Sequence, residues 1–170
     1  FRLQGWTLDP AQHPWAGQSS FPDLAQQYRR DRHSRRVRLE FTSPTAFRNG
    51  QADVPLPQPG SVFRSYYEKW NALAPEDLHF QALWPEFAAR CITVNEVSGL
   101  NTERWVFAEG THGIATGFVG IVGFNLLPKQ HTGELAAFWD GADGVLQSLA
   151  RFAFYCGTGH HTTIGLGQTR

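Results

Sequence analysis

The stretch IATGFVGIVGFNL, residues 114–126, limits the possible folds more than any other part of the chain. Ile114, Thr116, Phe118, Gly120, Val122, Phe124 and Leu126 occupy every second position. That period places all seven on one face of an extended strand, whereas a helix would scatter them around its axis. A strand with one apolar face must bury that face against a second layer. Gly117, Gly120 and Gly123 interrupt it, and glycine inside a strand marks a bulge or a close backbone approach.

The other elements follow from the same reasoning. Val37, Leu39 and Phe41 alternate with Arg38 and Glu40, which predicts a half-buried strand. Pro44 is expected to end it, because proline cannot donate to a ladder. VPLPQPGS, residues 54–61, reads as a proline-punctuated loop leading into a helix, with Ser61 as its cap and Phe63, Tyr66 or Tyr67, Trp70 and Leu73 as its stripe. A proline-containing stretch with Trp84 and Phe87 precedes two more extended segments, RCITVNEV and ERWVFAEG. In the first, Ile92 and Val94 share a face. The segment 143–156 carries Val145, Leu146, Leu149, Phe152 or Ala153, and Cys156 at helical spacing, with Asp143 as expected N-cap and Gly157 as C-cap. The order β, α, β, β, α and a short closing strand is the ferredoxin-like βαββαβ pattern of the α+β class. Two helices then cover one face of an antiparallel sheet and leave the other free for a partner.

Residues 1–34 read differently. Pro10, Pro14, Pro22 and Gly17 break regular structure, Trp6, Trp15 and Phe21 offer surface to bury, and one short helix is expected around 21–30. This is the composition of a connector packing on a neighbouring domain, followed by a folded domain over residues 35–170. The chain has no methionine and starts at Phe1, so it is expected to be the C-terminal piece of a longer protein.

Net charge is zero, with 15 basic and 15 acidic side chains, yet RRDRHSRRVR, residues 29–38, holds six of the basic ones and a single acid. Such a cluster, with Arg35 and Arg36 inside it, is either an anion or nucleic-acid footprint or a solvated arm. Cys91 and Cys156 form no CxxC and read as buried free thiols in a reducing compartment. No stretch approaches the ~20 apolar residues of a membrane helix. The expectation is a soluble, cytoplasmic protein.

The segment GTGHHTTIGLGQTR, residues 157–170, directly follows the last helical pattern. A dinucleotide fingerprint needs a strand before its glycines and a helix after them, and here that order is reversed. Adjacent His160 and His161 lack the spacing of a metal site, so neither metal nor cofactor is called for. Either histidine could act as general base near neutral pH, although no positioned partner is visible in the sequence. Two readings remain: an anion-binding concavity of glycine amides and threonine hydroxyls that suits RNA phosphates, or a tight helix-to-strand junction.

FTSPTAFR, PLPQPGSVFRSYYEKWN, GFVGIVGF and LARFAFYCGTGHHTTIGLGQTR occur in that order. Together they resemble the C-terminal half of CRISPR-associated repeat-processing endoribonucleases of the RAMP superfamily. The match runs from about Pro14 to Arg170. Gly157, Gly159, Thr162, Gly165, Gly167 and Gln168 match the superfamily's glycine-rich signature loop, which lies at a groove between domains and approaches RNA. The resemblance implies two tandem ferredoxin-like domains and metal-independent cleavage of a CRISPR precursor within each repeat. It also implies a catalytic histidine in the first domain, upstream of Phe1, so this chain alone is expected to be inactive. His160 and His161 fill variable positions and are the only candidates here for contact with the scissile site. The alternative is a non-catalytic repeat-RNA-binding subunit of a CRISPR effector complex, with other effector subunits as partners.

Overall fold

The computed structural model describes residues 5–30, 34–106 and 114–170. Its elements are α1 (Phe21–Arg30), β1 (Arg36–Thr45), β2 (Phe47–Asn49), β3 (Ala52–Val54), α2 (Pro59–Leu73), α3 (Trp84–Cys91), β4 (Ile92–Val106), β5 (Ile114–Leu126) and α4 (Ala142–Cys156). The main sheet has the order β1-β5-β4 and is antiparallel throughout. A fourth, minimal strand closes it: Thr169 bridges Phe41, and the amide–carbonyl bonds Glu40–Arg170 and Thr42–Gln168 flank the bridge. With that segment at the outer edge of β1 the arrangement is the ferredoxin-like fold.

Periodicity accounts for the core. From β5, Phe118, Val122, Phe124 and Leu126 are buried, facing Leu39 and Phe41 from β1 and Ile92 from β4. Over them lie Val62, Phe63, Tyr66 and Trp70 of α2 and Leu146, Leu149, Phe152 and Ala153 of α4. Aromatic edges fix the layers: Phe63 meets Phe124 at 5.2 Å, Phe41 meets Phe118 at 4.8 Å, and Trp70 meets Phe152 at 5.3 Å between centroids. These T-shaped contacts add about 0.5–1.5 kcal/mol each beyond area burial. The N-terminal segment packs on the same helices, with Trp15 stacked on Phe154, Phe21 edge-on to Trp70, and Leu24 buried.

Several local expectations are corrected. Pro44 does not end β1. The register breaks after Phe41 and resumes at Thr45 opposite Phe118, so the proline sits in an irregularity where no donor is required. Helix α2 starts at Pro59 with Gln58 as N-cap, not at Ser61, because proline's missing N–H costs nothing in the first turn. The same logic opens α3, unforeseen around Trp84-Pro85. Gly141, with φ 87°, caps α4 in place of Asp143, which lies buried in the first turn. Residues 47–54 form a β-hairpin turning at Gly50, an element that the sequence pattern had not indicated. Strand β4 is one continuous 15-residue strand rather than two pieces. The helices cover only its start, so Ile92 is buried and Val94 exposed. The glycine expectation holds in β5: a Cβ at Gly120 would lie 2.7 Å from the Gly99 carbonyl in the bulge of β4.

Candidate nucleic-acid interface

Helix α4 ends at Gly157, whose φ of +64° turns the chain out of the helix as expected. Positive φ recurs at Gly159, Gly165 and Gly167, and at His161, the one non-glycine residue of this kind among the described residues. These turns fold the loop against β1 and α2. The Gly157, Thr158, Gly159 and His160 amides donate to Ala153 O, Gly167 O, Ser65 Oγ and Ala46 O at 2.9, 2.8, 3.0 and 3.2 Å. The Gly167 and Gln168 amides donate to Pro44 O and Ser43 Oγ at 3.1 and 2.8 Å. These six amides are satisfied inside the protein and form no anion-binding concavity. Glycine is needed here because the chain passes too close to its neighbours for a side chain. A Cβ on Gly159 would lie 2.2 Å from Ala46 O, and one on Gly167 2.0 Å from Thr158 O.

Two devices hold the loop from below. Lys69 of α2 donates to the carbonyls of Cys156, Gly157 and Gly159 at 3.3, 2.9 and 3.1 Å. A cation on the final carbonyls of α4 opposes the negative end of its dipole, although burial lowers the ammonium's pKa. A buried hydroxyl chain runs from Tyr66 to Thr158 at 2.5 Å and on to Thr169 at 2.6 Å. Burial pushes the Tyr66 phenol upward, so it stays protonated at neutral pH. Burial likewise pushes the Cys156 thiol up to about 12, which leaves it a neutral, unreactive group. Both cysteines are free.

On the outward side, His160 and His161 lie with ring centroids 4.2 Å apart. His160 Nε2 is 3.3 Å from Asp53 Oδ1 on β3, and the same carboxylate oxygen lies 3.4 Å from Arg48 Nε on β2. The partner missing from the sequence pattern is thus Asp53, 107 positions upstream. Desolvation lowers the His160 pKa, with Asp53 opposing and His161 and Arg48 reinforcing. His160 opens onto a cleft of about 710 Å³ between the β2–β3 hairpin and α2, lined also by Arg48, Ser61, Arg64, Ser65 and Lys69, among others. Of the matched loop residues, Gly157 and Gly167 are buried, Gly159, Thr162 and Gln168 half-buried, and Gly165 exposed. Arg35 and Arg36 lie at the start of β1, half-buried and exposed. Residues 31–33 of the basic cluster and His112 lie outside the described residues. Among the described residues no His, Cys, Asp and Glu group could hold a metal ion, and no helix is long and apolar enough to cross a membrane.

The family model for CRISPR-associated endoribonuclease Cas6 matches residues 39–169. Curated protein sequences offer no match. Among solved structures, Cas6 (TTHA0078), solved as a product complex, superposes on 100% of the chain with a TM-score of 0.80 and 30% identity. Cas6 (TTHB231), also a product complex, covers 99% with a TM-score of 0.79 at 24% identity. Thermus thermophilus Cas6 (TTHB231) covers 95% of the chain and 62% of its own with a TM-score of 0.77 at 23% identity. The chain spans 62% and 61% of the two product-complex proteins.

Proposed function

The chain belongs to the CRISPR-associated endoribonuclease Cas6 family, and from that premise we propose that it is the C-terminal RNA-recognition part of a metal-independent enzyme cleaving CRISPR precursor RNA within its repeats. The observation that carries this reading is the superposition of the whole chain, at 30% identity, on 62% of a Cas6 solved with its product. In the proposed reaction a general base takes the proton of the 2′-hydroxyl beside the scissile phosphate. The 2′-oxygen attacks phosphorus in line, the bond to the 5′-oxygen breaks, and that oxygen takes up a proton. The products are a 2′,3′-cyclic phosphate and a 5′-hydroxyl. Because the nucleophile is tethered next to phosphorus, positioning and proton transfer supply much of the acceleration.

We place the general base outside residues 1–170, in the part of the protein that this chain does not span. The role assigned to the chain is to hold RNA. The loop residues Gly157, Gly159, Thr162, Gly165, Gly167 and Gln168 form the wall beside the scissile site, His160 and His161 face it, and Arg35 and Arg36 contribute phosphate contacts at the start of β1. The test is incubation of the chain, and of the protein carrying it, with end-labelled repeat RNA in EDTA, reading both binding and product ends. Cleavage by the longer protein alone, with a 2′,3′-cyclic phosphate, supports the reading. Cleavage by this chain moves the base onto His160 or His161. Binding without cleavage by either favours a non-catalytic subunit of a CRISPR effector complex, and no binding overturns RNA recognition.

A further inference from the structure

The glycine amides of the loop are consumed inside the fold, so groups that meet a phosphate must be sought elsewhere, and the cleft beside His160 offers them. Its lining includes three cations, Arg48, Arg64 and Lys69, against one carboxylate, Glu68. Lys69 is committed to three loop carbonyls. Arg48 is shared with Asp53, whose carboxylate also faces His160. Arg64 projects from the second turn of α2, is exposed, and has no carboxylate within ion-pair distance among the described residues. A guanidinium at a cleft wall with no internal acceptor is matched by phosphate oxygens, which it binds bidentately. Ser61 adds a hydroxyl at the same wall, and the volume of about 710 Å³ lies in the range of sites that enclose a small ligand.

We propose that the cleft between the β2–β3 hairpin and α2 binds one phosphodiester of the RNA, with Arg64 and Arg48 as its ligands and His160, oriented by Asp53, at its mouth. This rests on the RNA reading above and adds to it a site that the glycine-loop signature does not contain. Asp53 is a positioning residue in this arrangement: it fixes the imidazole ring and one guanidinium edge, so both approach the phosphate from a set direction. The glycines then serve the site indirectly. Gly159, lacking a Cβ, brings His160 against the hairpin that carries Arg48 and Asp53.

The experiment measures binding of fluorescein-labelled repeat RNA, 2′-O-methylated to block cleavage, to the protein by anisotropy across a salt series. Arg64→Ala and Arg48→Ala are each expected to weaken binding several-fold at low salt and to reduce the slope of log K against log salt by about 0.7–0.9 per lost contact. Lys129→Ala is the control. It removes a cation paired with Asp140 ahead of α4 and outside the cleft lining, and is expected to leave the slope unchanged. Movement of the His160 ring resonances on RNA addition, lost in Arg64→Ala, would tie the contact to this cleft. If the unsubstituted protein binds RNA and the Arg64→Ala slope equals its slope, the cleft assignment is overturned and RNA recognition stands. If the unsubstituted protein does not bind, both fall.

Discussion

Two glycine-to-alanine substitutions in the loop separate the two reasons glycine is needed. Gly165 has φ +93° and open space within 4 Å of a hypothetical Cβ, so alanine there meets conformational strain alone. That strain is about 1–2 kcal/mol for an L-residue in the left-handed region. Gly159 has φ +73° and a Cβ position 2.2 Å from Ala46 O, a backbone atom that moves only with the β2–β3 hairpin. Alanine there meets the same strain, loses the His160–Ala46 hydrogen bond of 3.2 Å, worth about 1 kcal/mol, and forces a displacement costing about 1–3 kcal/mol. The expected losses are therefore about 1–2 kcal/mol for Gly165→Ala and about 3–6 kcal/mol for Gly159→Ala. In a domain of this size each kcal/mol lowers Tm by about 2–4 °C, so the first variant melts about 2–8 °C low and the second about 6–24 °C low. Urea titration at constant slope, alongside thermal unfolding, measures both. Equal losses would refute the argument, because they would mean that the close approach to Ala46 carries no energy.

Three further outcomes follow from the same contacts. Thr158→Val strands the buried Tyr66 hydroxyl and should cost about 1–3 kcal/mol. Adding Tyr66→Phe should restore part of it, and strict additivity in the double-mutant cycle would count against the hydroxyl chain. Lys69→Met removes three charge-assisted contacts to loop carbonyls that water can partly replace. Its expected cost is about 2 kcal/mol by denaturant midpoint, well under the sum of three separate bonds. The folded His160 pKa lies below its unfolded value of about 6.5. The unfolded chain therefore binds the proton first, and stability contributed above that value is lost as pH falls through the window beneath it. His160→Gln should flatten the decline in unfolding free energy between neutral and mildly acidic pH, and an unchanged decline would assign it to other groups.

What could be read from the sequence was what depends on period. The alternation at 37–41 and 118–126 and the helical stripes at 63–70 and 146–153 each place apolar side chains at fixed angles; before Phe118 the face reverses, with Ala115 buried and Thr116 exposed. The chain has one economical way to bury them together, under two helices on an antiparallel sheet. The errors cluster where proline was taken as a stop. Pro44, Pro59 and Pro85 all sit inside or at the start of an element, at positions where the missing N–H had no partner to lose. The short β2–β3 hairpin was missed because three-residue strands hold too few positions to show a period. Asp53 was missed for a related reason: its pairing with His160 spans 107 positions, and only the tertiary fold brings hairpin and loop together.

The glycine-rich loop illustrates how a sequence pattern can suggest one physical use and the backbone another. Its glycines suggested amides exposed to an anion, yet Gly157, Gly159 and Gly167 use their freedom to bring backbone against backbone. The two readings of such a loop, ligand cradle and tight junction, are in fact compatible at different atoms. The junction fixes His160 beside Asp53 and Arg48, while Thr158 and Thr169 tie the closing strand to α2 through Tyr66. A sequence pattern specifies which residues may approach closely, but not which of them point outward. Substitution of a buried glycine should therefore damage stability and RNA binding together. Substitution of Arg64, exposed and without an ion pair among the described residues, should damage binding alone. That difference is the physical distinction between a residue that builds the site and one that meets the ligand.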